Sequence, residues 1–366
     1  MLDDLHLEKN FESYISDKIV GLGDKGWKVS MADDDFNPNT ALYLPDLITY
    51  LENTDSEKKI ARMKKQNQGT WIKDIESILI KRLEYDGTIK VLRKGINVPG
   101  YGNIVISGHY PYDRRIPSIV KEYDENILRV MHQVHYQTAG NKSVDLVFFI
   151  NGIPVATAEI KTELTQTVQG AVEEYQKYRR PIEPKTRRKN PLLMYKRGAV
   201  VHFAISEDEI MMCTDLRPQK PKFLPFNRGN GCHAGNPKMN ADDNEYPTGY
   251  FWNAILQRDN WLRIFHNFIF EEKYHKKDIT GAYKDTYTQI FPRYHQWDCV
   301  VKCIDDLKKN GPGMRYLIEH SAGSGKTETM SWLSYELMNY LNDDGERVFS
   351  SIIIVTDRTS LDSNIK

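Results

Sequence analysis

The sequence predicts an α/β protein built in two parts, and three observations carry that expectation. Residues 128–136 (LRVMHQVHY), 144–150 (VDLVFFI) and 155–161 (VATAEIK) are rich in strand-favouring side chains and are broken by turn signals, which predicts paired strands in the first part. From about residue 286 a helix, the apolar stretch RYLIEH, a glycine turn, a long helix and SSIIIVTD follow one another, the order of a parallel α/β unit. Finally, 366 residues are too many for one ordinary core.

Taken in order, Leu7, Phe11, Tyr14, Ile15 and Ile19 fall at helical spacing over residues 7–20 and stop at Gly21 and Gly23, a docking helix at a domain edge. Trp71, Ile72, Ile75, Ile78, Leu79 and Leu83 repeat that spacing, and Asp86-Gly87 then turns the chain into TIKVLR, which predicts a strand. The strands over 128–161 follow, with Asn151-Gly152 as the turn between the second and third. A helix is expected over 166–178, a proline-broken surface loop over 179–190 (RRPIEPKTRRKN), and a strand pair in AVVHFAIS and EIMMCTD. Residues 216–250 carry many Pro, Gly and Asn and little periodicity. The expected division is 1–215, a connecting region 216–285, and 286–366.

Composition narrows the function classes. Hydrophobic residues make up 40% and charged residues 27%, a soluble globular mix, and 50 basic residues balance 50 acidic ones, so contact with nucleic acid has to be local. Cys213, Cys232, Cys299 and Cys303 are too sparse for a disulfide framework and lack zinc spacing, which favours buried thiols and a cytoplasmic location. The acidic N-terminus is unlike a secretory signal, and no run of about 18 apolar residues occurs, so no membrane partner is expected.

Asp145, Glu159 and Lys161 are the first residues that speak of chemistry. Period-two alternation puts Glu159 and Lys161 on one strand face. Asp145 joins them only in the right register: a two-residue turn at 151–152 sets it opposite Ala158, whereas a three-residue turn, 151–153, sets it opposite Glu159. The longer turn is therefore expected, with Gly152 or Ile153 in the conformation of a bulged hairpin. Two carboxylates so placed suit a hard divalent cation such as Mg2+, which would acidify a bound water, with Lys161 orienting that water or steadying phosphate charge. Taken alone, the three residues are more often those of a solvated hairpin.

Their surroundings decide between the two. KSVDLVFFINGIPVATAEIKTEL resembles the PD-(D/E)xK nuclease core of the restriction subunits of type I restriction-modification enzymes. That resemblance implies a mixed sheet flanked by helices over 1–215, catalysis by Asp145, Glu159 and Lys161 with the two carboxylates as metal ligands, and double-stranded DNA as substrate. Glu12 falls where such nucleases often carry an additional acidic residue, and an exposed helix charge is the competing reading. The family's Q-x-x-x-Y element is matched in spacing by Glu174 and Tyr178, with Glu in place of Gln; Gln169 and Gln176 are the neighbouring amides that could compensate. Arg179, Arg180, Lys185, Arg187, Arg188 and Lys189 form a basic run that suits DNA phosphates as well as it suits a solvated loop.

HSAGSGKTETM at 320–330, between RYLIEH and a helix, is a phosphate loop in its proper setting. Backbone N–H groups of Gly323, Ser324 and Gly325 would face ATP phosphates, Lys326 the β/γ-phosphates and Thr327 the Mg2+. His320 stands where the general pattern asks for Gly, a departure shared with superfamily 2 helicases. Arg293 and Gln296 resemble the Q motif, which reads adenine, and Asp357, Arg358, Leu361 and Asp362, with Asn364 for Gln, resemble the next motif, whose Arg358 would meet DNA. The likeness, which also covers residues 223–237 and 250–262, implies an incomplete RecA-like lobe over 286–366. Later motor motifs are missing before Lys366, so ATP hydrolysis and translocation are not expected of this polypeptide alone, and exposed strand edges would favour a partner.

The resemblance thus implies Mg-dependent cleavage of double-stranded DNA, coupled in the full assembly to ATP-driven movement and directed by methyltransferase and specificity subunits. The rivals are a repair or mobile-element helicase, and a degenerate or split remnant that binds nucleotide or docks on the methyltransferase complex without cleaving.

Overall fold

The computed structural model describes residues 2–21, 25–31, 33–54, 57–67, 69–138, 140–162, 167–231, 233–238, 245–277 and 283–355. The chain divides into two compact units, residues 1–110 with 118–291, and residues 111–117 with 292–366.

In the first unit α1 (Leu2–Val20) is followed by β1 (Lys28–Ser30), the short hairpin β2 (Phe36–Asn37) and β3 (Leu42–Tyr43), and helices α2 (Leu44–Asn53), α3 (Glu57–Gln66), α4 (Trp71–Asp86) and α5 (Thr88–Lys94). A second short hairpin, β4 (Ile96–Val98) and β5 (Gly102–Ile104), and helix α6 (Pro117–Asp124) lead to β6 (Leu128–His135), β7 (Ser143–Ile150) and β8 (Ile153–Ile160). Helix α7 (Val168–Lys177) then crosses to β9 (Val201–Ile205), β10 (Ile210–Cys213) and β11 (Leu224–Pro225), and the unit closes with α8 (Arg258–Arg263) and the hairpin β12 (Phe270–Lys277) and β13 (Tyr283–Ile290). A seven-stranded sheet in the order β1-β6-β7-β8-β9-β10-β11 is its centre. The pairs β1/β6 and β8/β9 are parallel and the others antiparallel. The mixed sheet flanked by helices is the one expected.

Strand β8 lies mid-sheet and every one of its residues is buried, which explains a near-continuous apolar run where a half-exposed strand would alternate. Helix α7 covers one face through Val168, Ala171, Val172 and Tyr175, packed with Val147, Phe149 and Ala204. Helix α1 packs against β1, β8 and the π-helical turn Phe251–Ile255. Phe11, Ile15 and Ile19 are its buried stripe, and the Phe11 ring meets Trp252 edge-on at 6.0 Å. It is an integral part of this unit.

Two local expectations are corrected. TIKVLR is helix α5, because Gly87, at φ +85°, ends α4 and restarts the chain with Thr88, Val91 and Leu92 buried at helical spacing. Thr88 is tied down by its Oγ1, which donates to the carbonyls of Arg197 and Gly198. The β12/β13 hairpin was not foreseen, since EEKYHKK is too charged to read as a strand.

The hairpin that carries the site residues reaches the expected register by another device. Its turn has two residues, Asn151 at φ +49° and Gly152 at φ +74°, with Ile150 facing Ile153 and Phe149 facing Pro154. A bulge follows: Phe148 faces Ala156, so Val155 is the extra residue. Pro154 sits beside the bulge, one of the few places in a sheet where proline is found. Gly152 cannot be replaced without strain, since a Cβ there would stand 1.9 Å from the Tyr43 carbonyl oxygen.

The second unit holds α9 (Tyr294–Asn310) and α10 (Lys326–Asn339), which pack on each other. Among its described residues neither 315–320 nor 350–355 is a strand, so the parallel sheet expected around the glycine loop is not formed there. Parallel strands are stable when buried between neighbours, and Leu317, Ile353 and Val355 are 96%, 85% and 87% exposed.

Candidate active site

Four carboxylates and two cations gather at the end of β7 and β8. The register past the bulge ends with Leu146 opposite Ala158, and the next residue on each strand is Asp145 and Glu159. Asp145 Oδ2 accepts from the Ile160 backbone N–H at 2.8 Å, and its Oδ1 from Gln133 Nε2 at 3.2 Å. The same amide nitrogen donates to Glu12 Oε1 at 3.0 Å, bridging the two carboxylates. Glu12 is buried, not an exposed helix charge, and its Oε2 lies 3.4 Å from His132 Nδ1, whose other ring nitrogen meets Ser16 Oγ at 2.7 Å.

Glu159 is fully buried and lies against Arg179, whose Nε and Nη2 donate to its two oxygens at 2.5 and 3.0 Å. Arg179 Nη2 also donates to Glu174 Oε2 at 3.0 Å, and Glu174 Oε1 lies 3.0 Å from Lys161 Nζ. Glu159, Arg179, Glu174 and Lys161 thus form a chain of alternating charge. Lys161 follows β8 two residues after Glu159, its N–H donating to Ile205 O at 2.9 Å.

The electrostatics follow from enclosure. Burial, and then the charge of Glu12, pushes the Asp145 carboxyl up to about 7, although the Ile160 N–H and Lys161 pull it down. Burial and Asp145 raise Glu159 well above the usual carboxylate range, against the pull of Arg179. Burial acts to raise Glu174 as well, but hydrogen bonding to Glu159 and the charge of Lys161 outweigh it, and Glu174 is held below its ordinary value.

Among the described residues no group of three or more His, Cys, Asp and Glu side chains could hold a metal ion. The donor chemistry of Asp145 and Glu159 nevertheless fits a hard cation, because both are carboxylates and, among the described residues, Asp145 Oδ1 accepts a single long amide contact. The competitor is Arg179, which engages both oxygens of Glu159.

Other expected site residues are placed differently. Arg179 leaves the exposed basic run: its guanidinium turns inward, 9% exposed, because Glu159 needs a cation once buried. Arg180 donates to the carbonyls of Pro218 and Gln219 at 3.0 and 2.7 Å. The Tyr178 side chain is 53% exposed, whereas Tyr175, one turn earlier, is buried with its hydroxyl 2.7 Å from Thr157 Oγ1. Gln169 lies at the start of α7 and is exposed, and Gln176 Nε2 donates to Pro221 O at 3.1 Å, so neither amide joins the cluster. Gln133 carried no sequence signal. Set between His132, which faces Leu146, and Val134, which faces Val144, it falls across from Asp145; its φ of +50° is a left-handed position within the strand, and its amide bridges Glu12 and Asp145.

In the second unit Gly323 and Gly325 adopt φ +70° and +82°, and Gly325 caps α10. Lys326 Nζ donates to the carbonyls of His320 and Ser321, both at 3.0 Å. Arg293 Nη2 reaches Gly323 O at 3.1 Å, His295 Nε2 lies 3.0 Å from Ser324 O, and Gln296 Nε2 reaches Gly325 O at 2.9 Å. Three side chains from the start of α9 therefore hold three successive carbonyls of the loop. The Ser324 N–H turns back to Ser321 O at 3.3 Å, and Thr327 lies in the first turn of α10. Arg358 lies outside the described residues.

A family model described as the N terminus of the type I restriction enzyme R protein matches residues 19–221. Two Methanocaldococcus jannaschii proteins named as type I restriction enzyme endonuclease subunits, MjaVIIIP and MjaVIIP, are similar to this chain. The first is 28% identical over 249 residues, 66% of this chain and 21% of the relative. The second is 28% identical over 258 residues, 67% of this chain and 21% of the relative. The matched stretch thus spans about a fifth of the length of these curated relatives. No helix among the described residues is long and apolar enough to cross a membrane.

Proposed function

The chain belongs to the family of type I restriction enzyme R protein N termini, and we propose that its first unit is a Mg-dependent nuclease acting on double-stranded DNA. The observation that supports this reading is the β7/β8 register, whose last pair, Leu146 and Ala158, is followed by Asp145 on one strand and Glu159 on the other, with Lys161 two residues further on. Asp145 and Glu159 would hold the cation, and Mg2+ when bound would supply Lewis acidity and a water acidified for attack on phosphorus. Lys161, held by Glu174, supplies a fixed positive charge for the phosphate, and Gln133 keeps Asp145 and Glu12 apart at a set distance.

The relatives' names say endonuclease subunit. By that likeness we infer that the chain works in the cytoplasm beside methyltransferase and specificity subunits. We also infer that the glycine loop of the second unit, with Arg293, Gln296, Lys326 and Thr327, takes Mg-ATP. Cleavage of plasmid DNA by the protein with Mg2+, assayed alone and with methyltransferase and specificity subunits, tests the reading. Asp145→Asn and Lys161→Ala are expected to lose about a hundredfold or more of the nicking rate. Equal nicking by wild type and Asp145→Asn would refute it, and a wild type inert under every condition favours a non-cleaving remnant.

A further inference from the structure

We propose that Arg179 is the resident counter-cation of Glu159, displaced towards Glu174 when a divalent cation binds. The inference rests on the nuclease reading above. Its basis is the geometry of one guanidinium. Arg179 covers both oxygens of a fully buried carboxylate, at 2.5 and 3.0 Å, and its Nη2 is already shared with Glu174 Oε2 at 3.0 Å. A turn about that shared nitrogen frees Glu159 without leaving the guanidinium unpaired. Such a move matters because a buried charge stripped of its partner is costly, whereas a charge passed between partners is not.

Glu174 is the other half of the device. Its two oxygens are divided between Arg179 and Lys161, so a guanidinium that moves fully onto Glu174 competes with the ammonium. A neutral amide at this position would attract neither cation with comparable strength. The acid at 174 is therefore the group that can receive the guanidinium when Glu159 is occupied.

Mn2+ binding to the full chain, followed by calorimetry with Asp145→Asn as the reference for non-site binding, tests the proposal without any cleavage readout. Arg179→Met removes the competitor and is expected to bind Mn2+ about tenfold or more tightly than wild type, the scale of one charged hydrogen bond. Glu159→Gln is expected to bind no better than Asp145→Asn. If wild type binds and Arg179→Met binds equally or more weakly, Arg179 is not a competitor and the proposal is overturned while the nuclease reading stands. If wild type binds no better than Asp145→Asn, and Arg179→Met does not either, the nuclease reading fails and takes the proposal with it. Should circular dichroism show Arg179→Met unfolded, Arg179→Lys decides: it keeps the charge but loses the fork, so tighter binding than wild type supports displacement and equal or weaker binding overturns it.

Discussion

The Ile160 backbone N–H donates to Asp145 Oδ2 at 2.8 Å, so the strand that bears Glu159 and Lys161 grips the carboxylate across from it through its own main chain. The bond exists because Val155 bulges out of β8 and shifts the register by one residue beyond Phe148. Gly152 anchors that hairpin at φ +74°, with Tyr43 O 1.9 Å from where a Cβ would stand. Gly152→Ala is expected to cost at least about 1–2 kcal/mol from the left-handed backbone alone, more with the clash. Urea denaturation measures it, and unchanged stability would show that the turn relaxes freely.

The Glu159–Arg179 pair predicts an asymmetry between single and double substitutions. Arg179→Met leaves a buried carboxylate unpaired and is expected to destabilise the chain by about 3–5 kcal/mol. Adding Glu159→Gln should recover much of that loss. Chemical denaturation of the three variants reads it, and equal losses for the single and double substitutions would mean that the pair carries no coupling.

His202 predicts an acid-sensitive window. Burial pushes its imidazole down to about 3, while the unfolded chain takes the proton near its ordinary value of about 6.5. Between those values the unfolded state binds more protons, so stability falls as pH drops, by up to about 1.4 kcal/mol per pH unit. His266, lowered well below its usual range by burial, acts in the same direction. Denaturation midpoints from pH 7 to pH 4 should decline, and His202→Gln should flatten the slope. A steepness unaltered by that substitution would place the proton uptake elsewhere.

Lys326 predicts a dependence on nucleotide. Its ammonium is held by the carbonyls of His320 and Ser321, partners that β- and γ-phosphates would replace. Mg-ATP at a hundred times its Kd should stabilise the wild type by about 2.7 kcal/mol if the unfolded state does not bind it. Lys326→Ala should lose most of that stabilisation in a thermal melt, and an identical gain in both proteins would remove the lysine from the site.

Much was legible in the sequence by itself. Strand-favouring runs at 128–136, 144–150 and 155–161 and the apolar stripe of α1 determined those elements to within a residue or two, because local preference and burial pattern agree there. Spacing alone put Glu159 and Lys161 on one face. Tertiary structure decided the rest. TIKVLR became a helix because its contacts with Arg197 and Gly198 outweigh strand preference. Asp145 met Glu159 through a bulge that no local pattern announces. Gln133 and Arg179 entered the site because a buried carboxylate must find a partner wherever the fold brings one, and charge within a closed space follows the final packing rather than the order of residues along the chain.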